Sequence, residues 1–277
     1  MACGEGWQVA RRRKGAGRRD RPPPRARKED ADALSGTESE RRIAEAVNEL
    51  RGEEFWHRWR ELITRCKASG EPSSGEPSDA DGAWDCVCYG LGSFSSCVSA
   101  RYQLAMLLLL LEALRVPVER CSVYDPVFTS AECGTLRDLG FTVLTENEEG
   151  KRAVSRPTLF YLMHCGKALY NNLLWRNWSL QALPKVMVIG NSFHGIQERI
   201  LQRELQRDYT YLDAVMGTCE ETALPCSPRF SDVFNDTALI RFPRQNLHKL
   251  PESSWTFPVE PQYQHCQDLE IIREERN

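Results

Sequence analysis

The longest purely apolar run in this 277-residue chain, Leu104 to Leu111, is eight residues long. A bilayer span needs about 20, and no apolar signal core follows the basic N-terminus, so neither insertion in a membrane nor secretion is expected. The sequence also lacks a phosphate-loop lysine motif, a G-x-S-x-G elbow, a paired-histidine helix and an EF-hand loop. Those absences leave an ordinary kinase or hydrolase reading without support. None of the eleven cysteines stands in a C-x-x-C pair, which removes the usual zinc spacing, and no metal is expected. An odd cysteine count without a secretory signal points to reduced, mostly buried thiols.

A hydrophobic fraction of 41% over this length is enough for one sizeable core. The formal net charge of −3 hides an asymmetry. Residues 1–28 hold ten Lys or Arg against Glu5 and Asp20, a local +8, so the remainder carries −3 − 8 = −11. An acidic body argues against a nucleic-acid-binding face anywhere but the tail. Residues 1–34, rich in Arg, Pro and Gly, are expected to be a disordered basic tail. Within them Arg11-Arg12-Arg13-Lys14 and Arg18-Arg19-Asp20-Arg21 read either as a split nuclear-import signal or as a plain solvated tail. The expected location is cytoplasmic, with the nucleus open through that tail.

Residues 35–68 form a helical segment, opened by a Thr37–Glu40 capping box and weakest at Gly52. Its Phe55-Trp56-Trp59 stripe fits packing on its own domain better than docking of a partner. Residues 69–82 repeat Ser-Gly-Glu-Pro-Ser and read as a flexible linker. An α/β domain follows at 83–245, with a C-terminal tail at 246–277. Strands are predicted at 84–89, 119–124, 141–145, 158–163, 185–189 and 238–242, and helices at 97–114, 130–139, 167–178 and 193–207. The second of these helices has a Thr129–Glu132 capping box and Gly140 beyond its end. Strands separated by helices predict a Rossmann-like, mostly parallel sheet of order 3-2-1-4-5 with helices on both faces. The weak step is residues 146–157, too short for a full crossover helix.

Ligands of open parallel sheets sit at the carboxyl ends of strands, near the point where strand order reverses. The residues leaving those ends are the candidate binding set: Gly90, Gly92 and Ser93, then Asp125, then His164 and Cys165, then Asn191 and Ser192. Gly90-Leu91-Gly92-Ser93-Phe94-Ser95 is G-x-G-x-x-S between a strand and a helix, where glycines admit a ligand to the backbone. Asp125 stands where a ribose-binding carboxylate belongs in dinucleotide and S-adenosylmethionine sites. The alternative is that the glycines only turn the chain and Asp125 only caps a loop. His164 and Cys165, if extended, point to opposite faces and make no nucleophile–base dyad; either could ligate a metal or haem iron, the alternative being a buried side chain satisfied by its neighbours, which without zinc spacing is the commoner case. Cys86 and Cys88 read as core thiols, Asn171 and Asn172 as the polar side of a helix or a cap to a loop, and His265 and Cys266 as part of the C-terminal tail, while His194 and Gly195 are given no role. No catalytic residue is assigned.

Six blocks carry a resemblance: Cys88-Tyr89-Gly90-Leu91-Gly92-Ser93-Phe94, Arg101-Tyr102-Gln103-Leu104-Ala105, Tyr124-Asp125-Pro126-Val127-Phe128, Met163-His164-Cys165, Leu169-Tyr170-Asn171-Asn172-Leu173-Leu174 and Gly190-Asn191-Ser192. In this order they resemble the SRR-like ("sensitivity to red light reduced") family. The resemblance implies a regulator: plant members act in light signalling and circadian timing, and animal and fungal relatives are linked to haem biosynthesis, clock-gene expression and cytoskeletal phenotypes. It implies protein partners without identifying them and brings no catalytic residues. Three readings stand: a regulatory protein, a nucleotide- or S-adenosylmethionine-binding enzyme using Gly90, Gly92 and Asp125, and a haem sensor using His164 or Cys165. The cofactor is accordingly open between haem and an adenosine-containing molecule.

Overall fold

The computed structural model describes residues 26–68, 84–256 and 258–263, with side chains from residue 36 onward. Among the described residues, seven strands form one sheet: β1 Asp85–Tyr89, β2 Cys121–Tyr124, β3 Thr142–Val143, β4 Thr158–Leu162, β5 Val186–Asn191, β6 Glu220–Ala223 and β7 Thr237–Arg241. Their order is β3-β2-β1-β4-β5-β7-β6. The first five pair in parallel, while β7 runs antiparallel to both β5 and β6.

Side chains on β1 alternate between two cores, as the period of a strand buried on both faces requires. Cys86 and Cys88 enter one core and Val87 and Tyr89 the other. The first core is covered by α1 Ala26–Arg51, α2 Glu54–Ala68, α3 Val98–Leu114 and α4 Ser130–Asp138. The second lies under α5 Lys167–Arg176, α6 Phe193–Arg199, α7 Gln202–Asp208 and α8 Thr210–Met216. Two short helices complete the set, α9 Ser231–Phe234 and α10 Arg244–Leu247. Among the described residues no helix is long and apolar enough to cross a membrane.

Several expectations need correction. α1 begins at Ala26, inside the segment read as a disordered tail, and runs through Thr37, so Thr37–Glu40 does not start it; residues 1–25 and the linker 69–83 lie outside the described residues. The break falls at Gly52–Glu53, where the sequence was weakest. The single helix expected over 193–207 is two, separated by extended Ile200. The strand expected sixth is the seventh in chain order, because β6, a Glu-Glu-Thr-Ala segment without apolar alternation, precedes it. The 246–277 segment is packed as far as Tyr263, which is 3% exposed in the second core; His265 and Cys266 lie outside the described residues.

The step from β3 to β4 is made without a helix. Residues 144–157 cross the second face of the sheet as an irregular segment, with Val154 packed into that core and its N–H held by Asn177 Oδ1 at 2.9 Å. Asn172 Nδ2 and Asn177 Nδ2 donate to the carbonyls of Glu149 and Arg152, both at 2.8 Å. Side chains of α5 and the residue just beyond it thus bond a stretch that has no ladder of its own, as buried backbone requires.

Candidate functional site

β1 ends at Tyr89, and the chain turns over two glycines in left-handed conformations, Gly90 at φ 67° and Gly92 at φ 79°. A Cβ on Gly90 would lie 2.6 Å from the Cys165 sulfur, so a side chain here would be strained by its dihedral and crowded by the chain beyond β4. Asp125, at the end of β2, is turned toward the glycine loop. Its Oδ2 accepts from Gly92 N–H at 2.7 Å and its Oδ1 from Val127 N–H at 2.9 Å. A carboxylate has about four lone-pair sites, so the loop leaves Asp125 with unused acceptor capacity.

A second carboxylate, not among the expected site residues, grips the same loop. Glu132 is the capping-box residue of α4, with its Oε2 accepting from Thr129 N–H at 2.9 Å. Its Oε1 accepts from Ser95 N–H at 2.9 Å, Ser95 Oγ at 2.9 Å and Ser93 Oγ at 2.8 Å. Burial raises the Glu132 pKa, but the Thr129 and Ser95 amides and the two serine hydroxyls lower it more, leaving it below the ordinary glutamate value. From the first turn of α3, Arg101 reaches back to the carbonyls of Phe94 at 3.2 Å and Ser95 at 3.3 Å. The capping box was visible in the sequence; its reach across to the serines was not.

The β4 and β5 ends form an adjoining group. The Cys165 thiol donates to Tyr89 O at 3.3 Å, and Asn191 Nδ2 donates to Cys165 O at 3.0 Å. Tyr170 Oη accepts from Asn191 N–H at 2.8 Å and donates to Leu162 O at 2.6 Å. Ser192 is an N-cap: its Oγ accepts from Gly195 N–H at 2.9 Å and donates to Glu221 Oε1 at 2.5 Å. Glu221, on β6, also accepts from His194 N–H at 3.1 Å, a role hidden while β6 itself was hidden.

His164 parts from this group. It is left-handed at φ 53° and exposed, so the strand alternation assumed for the His164–Cys165 pair does not apply. Its Nε2 lies 3.0 Å from Val233 O while the Cys165 thiol turns to Tyr89 O, so the two still make no dyad. Cys88 and Cys121 are buried thiols whose pKa values burial pushes well above the ordinary range, which keeps them protonated and unreactive. Asn171 and Asn172 are 0% and 1% exposed and belong to a hydrogen-bond network rather than to a solvated face.

A recess of about 400 Å³ opens at the opposite edge of the sheet, lined by Asp85, Arg120, Ser122, Arg152, Ser155 and Thr158. It faces the amino ends of β1, β2 and β4, away from the candidate set. Its best-placed cation, Arg120, is paired with Asp85 at 2.9 Å.

The SRR1 domain family matches residues 63–241. The chain is 47% identical over 243 residues to the SRR1-like protein of Mus musculus, an alignment covering 76% of this chain and 94% of the mouse protein. To Protein SENSITIVITY TO RED LIGHT REDUCED 1 of Arabidopsis thaliana it is 39% identical over 114 residues, 41% of this chain and 42% of the plant protein. To the SRR1-like protein of Drosophila melanogaster it is 33% identical over 171 residues, 61% of this chain and 59% of that protein.

Proposed function

This chain belongs to the SRR1 family, and from that premise we propose that it is a regulatory protein whose Rossmann-like domain binds an adenosine-containing small molecule at the carboxyl ends of β1 and β2. The regulatory role acts, as the family resemblance implies, on clock-gene expression and haem biosynthesis. It works through protein partners in the cytoplasm and, with the basic tail as import signal, in the nucleus. The observation that carries the ligand reading is Asp125: it faces the glycine loop, bonds Gly92 N–H and keeps lone pairs for ribose hydroxyls. β1 lies between β2 and β4, so the strand order reverses beside this loop, where open sheets place their ligands.

The haem-sensor reading has less in its favour. His164 and Cys165 each have a carbonyl near their ligating atom, and a haem iron would have to displace one of those contacts. Thermal unfolding of the full chain with adenine and nicotinamide nucleotides, S-adenosylmethionine and haem tests the ligand. A bound ligand raises the midpoint with the logarithm of its excess over Kd. An increase lost in Asp125→Asn is the expected result; no increase with any adenosine compound would sink the site. For the regulatory role, cells lacking the protein should show altered clock transcripts and haem content, and unchanged levels of both would count against it.

A further inference from the structure

In a dinucleotide-binding loop the amides ahead of the helix are left open, and the pyrophosphate takes them. Here two of them are taken from within. Gly92 N–H is bonded to Asp125 at 2.7 Å and Ser95 N–H to Glu132 at 2.9 Å. Glu132 is 2% exposed and collects both serine hydroxyls on the same oxygen, so it is a fixed part of the loop rather than a passing surface contact. Arg101, the cation bonded to the loop, gives its guanidinium to the carbonyls of Phe94 and Ser95 rather than toward the amides. A phosphate on these two amides would have to break the carboxylate contacts and then sit beside two negative charges.

The sheet gives an independent pointer. Dinucleotide-binding sheets have the order 3-2-1-4-5-6. This sheet inserts an antiparallel β7 between β5 and β6, giving 3-2-1-4-5-7-6, so it departs from the dinucleotide order at that edge.

We propose that Glu132, with Asp125, is the resident anion of this loop and sets the ligand class: a phosphate-free adenosyl cation of the S-adenosylmethionine type is accepted, and nucleotide phosphates are rejected. This rests on the adenosine-site reading given above and narrows it. Asp125 receives the ribose, while the loop carboxylates favour a sulfonium and repel phosphate.

Titration calorimetry on the full chain with S-adenosylmethionine, its neutral thioether S-adenosylhomocysteine, NAD⁺ and ATP tests the rule, with inorganic pyrophosphate as competitor. S-adenosylmethionine should bind the wild type, ATP and NAD⁺ about tenfold more weakly or worse, and pyrophosphate should not compete. Glu132→Gln should narrow the gap between ATP and S-adenosylmethionine by about tenfold, since it removes the charge and keeps the shape. The wild-type comparison carries the test by itself if that variant does not fold. ATP or NAD⁺ binding the wild type as tightly as S-adenosylmethionine would overturn the charge rule and leave the adenosine site standing. If no adenosine compound bound, the site itself, and the rule with it, would fall.

Discussion

An alanine at position 90 would hold a φ of 67° and bring its Cβ to 2.6 Å from the Cys165 sulfur. The left-handed backbone costs roughly 1–2 kcal/mol and the overlap about 1–3 kcal/mol more, so Gly90→Ala should lower stability by about 2–5 kcal/mol in urea unfolding. Adding Cys165→Ala removes the overlap but not the dihedral, so the two changes should be non-additive, the second partly rescuing the first. Strict additivity would show that the sulfur is not what crowds Gly90. Glu132 gives a pH signature at the same scale. Its pKa lies below the ordinary 4.5, so its contribution is complete above that value and is lost as pH falls through the folded value. Between pH 7 and pH 3 the wild type should therefore lose more stability than Glu132→Gln, and equal slopes would show that its donors do not favour the charged form. The glycines and Asp125 were legible in the sequence because left-handed turns and a strand-end carboxylate leave local marks. The Glu132–Ser95 contact was not, since it depends on where α4 sits beside the loop.

At the scale of elements, α5 is tied to its neighbours by buried amides. Asn171 Oδ1 accepts from Tyr211 N–H at 3.0 Å and Leu212 N–H at 3.1 Å, capping α8 from another helix, since the N-cap residue Tyr209 offers no side-chain cap. Asn171 Nδ2 donates to Tyr263 Oη at 3.0 Å, and that hydroxyl is 2.8 Å from Asn172 Oδ1. Asn171→Leu would strand two amides of α8 in an apolar core, at about 2–6 kcal/mol for two unsatisfied groups, a loss readable as a lower urea midpoint. A change below about 0.5 kcal/mol, the usual bound for surface positions, would mean the amides find other partners. Apolar periodicity located α3 and α5 to within about two residues, the ordinary uncertainty of helix ends. It could not find β6, whose Glu-Glu-Thr-Ala sequence has no apolar alternation and which pairs, among the described residues, with β7 alone. The direction of β7 was equally hidden, because a strand's side-chain period is the same whichever way it runs.

Across the whole molecule, the N-terminal helices are part of the core and not an appendage to it. The family match begins at residue 63, yet Leu50 and Trp59, ahead of it, are each 0% exposed and share a core with Leu104, Tyr161 and Phe234. Trp59 Nε1 donates to Pro225 O at 2.6 Å, and its ring meets Phe234 edge-on at 5.6 Å. The packing of the Phe55-Trp56-Trp59 stripe on its own domain follows from the helical spacing of those residues; the depth of that packing does not. Full burial of such side chains is worth roughly 1.5–3 kcal/mol each. The loss of Ile43, Leu50, Phe55, Trp56, Trp59 and Ile63 together therefore rivals the total stability of an ordinary domain, about 5–15 kcal/mol. A chain beginning at Trp84 keeps every strand, the glycine loop, Asp125 and Glu132, but uncovers the apolar face of α3. It should unfold without a sharp transition and bind a hydrophobic dye strongly at neutral pH, while the full chain melts cooperatively. If the shortened chain instead melted cooperatively near the full-length midpoint, the two helices would be a separable layer. The proposed adenosine site could then be studied without them.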